Sequence, residues 1–506
     1  MKKLPNLVLS TLLLLIVSLS CSKKSEKRSG KELYTTYCAS CHQAVEIQDL
    51  PKKTWDQYVL PEMAAKMGIR EEGYNPYEGM SYRKMEATIR SGQYPTQAML
   101  SQEEWRILRE YIIQLAPDSV INDVPTITET NLEFKSHQVN LDDAGGAYVV
   151  RLGYDQSTHA VLAQDLSGRL FEYDFLSTKR TLRFDWETTV IDYTKTSKAS
   201  YLTEIGVLNP SEEKKGRLIK VEGDTTVLVD SLHRPVHTLV RDLNNDGELE
   251  FVISEFGHLT GQLSLLKKDP KGQYVKEALY GLPGVIRVIA KDMNQDGNLD
   301  LIFVASQARE GIYVLYQEEN LTFSLKQLVS MSPVYGISWF ELLDFDGDGD
   351  LDIVTVNGDN ADYSVVLKPY HGMRIYLNQG ENNFDEAYFY PMNGATRVKS
   401  GDFDQDGDWD FALMSTFPDY GKTTDQSIIY LENKDTEGME FVPSVFPVSN
   451  EGRWLVMESA DVDQDGDEDL IFGSFTYTFS PVPELFTSKW ANNSTDLLVL
   501  ENLLRD

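Results

Sequence analysis

The sequence predicts a chain of two fold classes, a small all-α domain followed by a larger all-β domain built from repeats. Three observations predict it. Between residues 30 and 118, apolar side chains recur at helical spacing behind two capping boxes. From residue 242 onward, a nine-residue acidic segment returns five times, each copy followed at once by a short apolar run. Finally, 506 residues exceed what one compact core organises. The composition, 41% hydrophobic and 25% charged, is that of a folded protein and excludes disorder. An excess of 79 acidic over 47 basic residues excludes nucleic acid as a partner.

The first residues read as a targeting signal. Lys2 and Lys3 precede an apolar run from Leu7 to Leu19, and Cys21 follows Ser20. The run is shorter than the roughly 20 residues that a spanning helix needs. It resembles a lipoprotein signal over residues 1–20, with an ordinary secretory signal as the alternative. The resemblance implies cleavage before Cys21, lipidation of its thiol and a tether over residues 21–29. It also implies an envelope location, at the outer membrane facing the periplasm or the cell surface. The chain has three cysteines, Cys21, Cys38 and Cys41. One thiol to lipid and two to a cofactor leave none for a structural disulfide.

The all-α segment opens at Ser29-Gly30-Lys31-Glu32, a capping box, with Leu33, Tyr34 and Tyr37 at helical spacing. Cys38-Ala39-Ser40-Cys41-His42 follows. Two thiols one helical turn apart can add to two vinyl groups, and the next imidazole then reaches the iron, so this is the attachment motif of one covalent haem c. A thioredoxin-type pair would need a preceding strand, and zinc would need further ligands nearby, whereas the next histidine is His137. A second capping box, Ser101-Gln102-Glu103-Glu104, opens a helix with Trp105, Leu108, Ile112 and Leu115 on one stripe, ended by Pro117. Residues 30–118 resemble a class I cytochrome c, which implies that this helix packs across the first. His42 is the proximal iron ligand. Among Met63, Met67, Met80, Met85 and Met99, the distal ligand is assigned to Met63 on a motif recurring in haem domains joined to such repeats, ahead of Met99. A polar stretch over residues 119–130 forms the domain boundary.

The repeats are Asp242-Leu-Asn244-Asn-Asp246-Gly247-Glu-Leu-Glu250, Asp292-Met-Asn294-Gln-Asp296-Gly297-Asn-Leu-Asp300 and Asp344-Phe-Asp346-Gly-Asp348-Gly349-Asp-Leu-Asp352. Two more are Asp402-Phe-Asp404-Gln-Asp406-Gly407-Asp-Trp-Asp410 and Asp461-Val-Asp463-Gln-Asp465-Gly466-Asp-Glu-Asp469. Oxygens at positions one, three and five can converge on one hard cation, a carbonyl at seven and a carboxylate at nine completing the set, which predicts about five calcium ions. An EF-hand would need Glu at position twelve, where Ile253, Phe303, Thr355, Leu413 and Phe472 stand. Plain polar turns would explain one copy but not five in register. The pattern resembles the FG-GAP or VCBS family, whose repeats are propeller blades, and this extends over residues 131–506. Two further blade-length units, Ala147 to Phe175 and about Val190 to Lys220, lack the loop and bring the count to seven. The last blade has three strands, and the segment from Asn131 to Leu141 is expected to complete it, removing exposed edges.

A haem with two axial ligands carries one electron and does not itself transform a substrate. Electron transfer with redox partner proteins at the envelope, using the propeller as docking platform, therefore ranks ahead of enzymatic activity. The alternatives are a propeller-borne oxidoreductase site feeding the haem, and a calcium-dependent adhesin or carbohydrate-binding module, with a glycan or small molecule at the propeller. His237, Arg287, Trp339 and Arg397 each lie five residues before a loop's first Asp, on equivalent inner-strand positions. They either ring the central channel or, as the simpler reading, pack locally.

Overall fold

The computed structural model describes residues 28–131, 133–361 and 366–505. The signal segment and Cys21 lie outside the described residues. No helix among the described residues is long and apolar enough to cross a membrane.

The helical domain contains α1 (Gly30–Leu33), continuing through a wider turn Tyr34–Cys38, then α2 (Leu60–Lys66), α3 (Tyr82–Ser91) and α4 (Gln102–Leu115). Both capping boxes form: the Ser29 and Ser101 side chains accept the amides of Glu32 and Glu104, whose carboxylates reach back to the cap amides. These pairs satisfy donors that the first helical turn would otherwise leave open. α4 packs on α1 at Gly30, where an added Cβ would stand 2.3 Å from Tyr111 Cβ. Gly30→Val is therefore expected to overpack this crossing and destabilise the domain by about 1–3 kcal/mol, read as an earlier loss of helical signal in urea. Leu33, Leu50, Trp55, Leu60, Trp105, Leu108 and Ile112 form the core. Leu115 does not join it. The side chain is 44% exposed, and Ala116, extended at the helix end before Pro117, takes the last core position instead.

Residues 134 to 502 form seven four-stranded antiparallel sheets. Blades 1 to 6 span residues 149–185, 190–232, 235–280, 285–330, 337–391 and 395–445. Blade 7 takes three strands from residues 454–502 and its outer strand, Phe134–Val139, from the start of the domain. That strand pairs from Phe134 against Asn502 to Val139 against Leu497, closing the ring as expected. Glu501 receives Lys135 at 2.8 Å and His137 at 2.6 Å across the closure. Second strands such as Phe251 to Ser254 and Leu470 to Phe472 are buried on both faces, which is why they read as unbroken apolar runs. The first strand of each blade touches those of its neighbours around the whole ring, so these strands line the channel. Each also carries a one-residue bulge near its start, as between Pro235 and His237.

The connection between domains is not a loose tether. Ile127 is buried in the cluster of blades 5 and 6, and Thr130 bridges Val445 on the edge of blade 6. The Asn131 amide donates to the Val445 carbonyl at 2.9 Å, and the Val445 amide to the Glu129 carbonyl at 3.0 Å.

Candidate haem and cation sites

The cysteine pair sits where α1 unwinds. Cys38 is half-buried against the helical core, Cys41 is exposed, and both are free thiols. Burial, with Cys41 adding, pushes the Cys38 thiol up to about 12. A dithiol redox pair needs the opposite shift, because the thiolate is the reactive form. His42 Nδ1 lies 2.7 Å from the Gln43 carbonyl. A carbonyl only accepts, so Nδ1 carries the proton and the Nε2 lone pair is left for a metal. Two free thiols, a histidine of this tautomer and an adjoining apolar core fit a covalently bound haem. Such a group would supply one-electron redox chemistry.

The motif rests against the propeller. Arg309 Nε donates to the Cys41 carbonyl at 3.2 Å, Ser330 Oγ to Gln43 Oε1 at 3.3 Å and the Tyr370 hydroxyl to the Asp49 carbonyl at 3.1 Å. Val334 packs on the helical core. These groups follow the second or fourth strands of blades 4 and 5, whereas the acidic loops follow first strands. The helical domain and the acidic loops thus occupy opposite ends of the propeller.

Of the methionines, Met67 packs on the helical core, Met80 Sδ accepts from the Thr88 hydroxyl at 3.6 Å and Met99 is 46% exposed. Met63 is half-buried on α2 beside Glu62, a buried carboxylate that accepts from the Tyr94 hydroxyl at 2.8 Å.

The five loops are not equivalent. In three of them the side-chain oxygens of positions one, three and five come within 4.8 Å of one another: Asp344, Asp346 and Asp348; Asp402, Asp404 and Asp406; Asp461, Asp463 and Asp465. These loops also hold buried carboxylate oxygens with no partner among the described residues, on Asp344, Asp408, Asp465 and Asp467. In the first two loops position three is an asparagine, whose amide donates to the fifth-position carboxylate, Asn244 to Asp246 and Asn294 to Asp296, each at 3.0 Å. Position six is left-handed throughout; at Gly407 φ is +102° with open space around it, so backbone conformation rather than room demands glycine.

The ninth residues, Glu250, Asp300, Asp352, Asp410 and Asp469, are buried. Each accepts the amide of position two, as Asp352 does from Phe345 at 2.8 Å. In the last four the other oxygen accepts an amide at the end of the third strand, as Asp352 does from Asn378 at 2.8 Å. Burial and neighbouring carboxylates push Asp410 and Asp469 up to about 7, and Asp408 and Asp467 up to about 6. Among the described residues, no carboxylate of the Asp402 and Asp461 loops belongs to an ion pair, whereas Glu248 of the first loop pairs with Lys268 at 2.5 Å.

His237, Arg287, Trp339 and Arg397 all stand one residue past the bulge of a channel-lining strand. Arg151 and Asp192 hold the same position in blades 1 and 2. Sequence reasoning missed these two because no acidic loop follows them from which to count back. The structure brings Arg287, Trp339 and Arg397 together on channel-lining strands, where they also pack on one another.

Residues 28–116 match the family model for cytochrome c, and residues 292–355 match that for the FG-GAP-like repeat. Residues 28–116 are a cytochrome c domain, and the chain is a haem electron carrier with a seven-bladed propeller. No curated protein matches the chain. Among solved structures, it resembles the N-terminal domain of Nup159 at 13% identity, covering 76% of this chain and 99% of that one, with a TM-score of 0.41. It also resembles oligogalacturonate lyase from Vibrio parahaemolyticus at 10% identity, covering 75% and 97%, with a TM-score of 0.40. A third is Sqt1 of Saccharomyces cerevisiae at 9% identity, covering 70% and 84%, with a TM-score of 0.40. At these scores nothing about function passes from them to this chain.

Proposed function

We propose that the protein is exported and anchored in the cell envelope by a lipid on Cys21, passing single electrons between redox partner proteins. Its propeller acts as a calcium-stabilised docking platform. The observation that carries the electron-transfer reading is the Cys38, Cys41 and His42 constellation, with Nε2 left for iron and the motif braced by Arg309. Purified holoprotein is expected to be reduced and reoxidised by small one-electron carriers with no substrate present. Haem reduction that requires an organic substrate would overturn this reading in favour of an oxidoreductase site in the propeller.

Calcium occupies the Asp344, Asp402 and Asp461 loops most tightly, because their oxygens converge and some are unpartnered. The Asp242 and Asp292 loops bind more weakly, since an Asn amide already engages a carboxylate there.

Met63 is the distal iron ligand. Of its rivals, Met67 is packed, Met80 hydrogen-bonded and Met99 exposed, while Met85 is half-buried on α3; a thioether raises the reduction potential. Met63→Ala is expected to lower the potential and abolish the sulfur-to-iron charge-transfer absorption of the oxidised haem. If both persist, the ligand is another methionine.

A further inference from the structure

The propeller channel holds charge that neither the haem domain nor the calcium loops use. Some of it is internally compensated. Arg151 Nε pairs with Asp192 Oδ1 at 3.0 Å, and the other Asp192 oxygen accepts the Thr238 amide at 2.9 Å. Lys399 pairs with Glu458, and Glu341 accepts both the amide and the hydroxyl of Ser400.

Arg287 and Arg397 are different. Neither belongs to an ion pair among the described residues. Their guanidinium carbons lie 4.3 and 4.4 Å from the centre of the Trp339 ring, so three blades converge on one indole. Each arginine donates to a backbone carbonyl, Arg287 to Phe340 at 2.8 Å and Arg397 to Thr396 at 2.7 Å. A guanidinium carries five N–H groups, and most of the others have no acceptor among the described residues. Around them, Trp339 Nε1, His237 Nδ1 and one terminal nitrogen of Arg151 are enclosed without a partner among the described residues. Burial, with Arg287 nearby, brings Arg397 down to about 10, still cationic at neutral pH.

Stacking on an indole leaves the edges of a guanidinium open, and those edges match the two oxygens of a carboxylate or a tetrahedral oxyanion. Glu341 and Glu458 act on Arg287, and Asp359 on Arg397, without a direct ion pair, so an anion seated on the open edges would supply the contact that these half-buried cations lack. The site is built from side chains of successive blades, so a ligand here touches several at once.

We propose that the channel is a binding site for a small oxyanion, gripped by Arg287 and Arg397 with Trp339 Nε1 donating a third hydrogen bond. The ligand is the carboxylate of an organic acid or an inorganic oxyanion; both present the same chemistry to the site. This stands independently of the electron-transfer reading.

Calorimetric titration of calcium-replete holoprotein at low chloride, with succinate, citrate, sulfate and phosphate in turn, tests it. At least one is expected to bind one-to-one and to raise the melting temperature saturably. Arg287→Gln and Arg397→Gln are each expected to weaken binding about tenfold or more. Trp339→Phe, which keeps an aromatic face but lacks the N–H, weakens it about three- to tenfold. Removing an unpaired cation should leave the ligand-free melting temperature level or higher, which separates a binding role from a structural one. Binding by the two carboxylates alone identifies an organic acid, and by sulfate or phosphate alone an inorganic ion. If none of the four binds, or if both glutamine variants bind as the wild type does, the site is not an anion site.

Discussion

Mature protein in which Cys38 and Cys41 are both serine is expected to carry no porphyrin, with complete loss of the visible haem bands and of the haem mass. Iron coordination by His42 alone cannot replace two covalent bonds through purification. The single variants should keep one thioether and retain haem with altered absorption. The effect reaches beyond redox function. The helical domain is under ninety residues by its family match, and its core is the one cluster around Leu33, Trp55 and Leu108. Domains of that size are marginal without a cofactor or cross-link to add to the core. The double variant should therefore lose its helical unfolding transition while the propeller still melts cooperatively. Mass spectrometry and calorimetry read both outcomes. Porphyrin retained by the double variant would remove the covalent attachment on which the electron-carrier assignment rests.

Removing calcium with excess chelator should lower the propeller's melting temperature by roughly 10 °C. A cation at 100 times its dissociation constant contributes about 2.7 kcal/mol. Three such sites, set against the unfolding entropy of a domain of this size, give a shift of that order. Stabilisation is expected to come mainly from the loops of blades 5, 6 and 7. Asp346→Ala or Asp404→Ala should remove a share of the calcium-dependent increment, whereas Asn244→Ala should cost far less. A melting temperature indifferent to chelator would remove calcium from the account and leave the acidic loops as plain turns.

The parts of this molecule legible in the sequence are those whose chemistry is local. The haem motif is contiguous, the capping boxes span four residues each, and every acidic loop announces the strand behind it. The closing strand was legible too, because the segment ending at Leu141 looks like the outer strand of other blades. What stayed hidden depends on distant residues. Nothing near Leu115 signals that the last core position passes to Ala116; that follows from how the chain leaves α4 beside Lys52, whose amide donates to the Pro117 carbonyl at 2.7 Å. The ninth loop residue reads as one more acid, yet in four of the five loops it ties its loop to the end of the third strand. The seating of the haem motif against Arg309 joins residues 268 positions apart. Arg151 and Asp192 carry no motif at all, and only ring geometry places them beside His237.

The strand Phe134–Val139 finds its partner among the last residues of the chain. Bringing those two strands together closes a loop of more than 350 residues, at an entropic cost of about 5 kcal/mol met only once Leu497–Asn502 has been made. As the chain is made from its N-terminal side, the cysteine motif emerges long before that partner does. Haem can thus be ligated to an N-terminal segment while the blades behind it are still an open, growing arc. A chain cut short by even one C-terminal strand would leave that arc gaping, loaded with cofactor but unable to complete its circle.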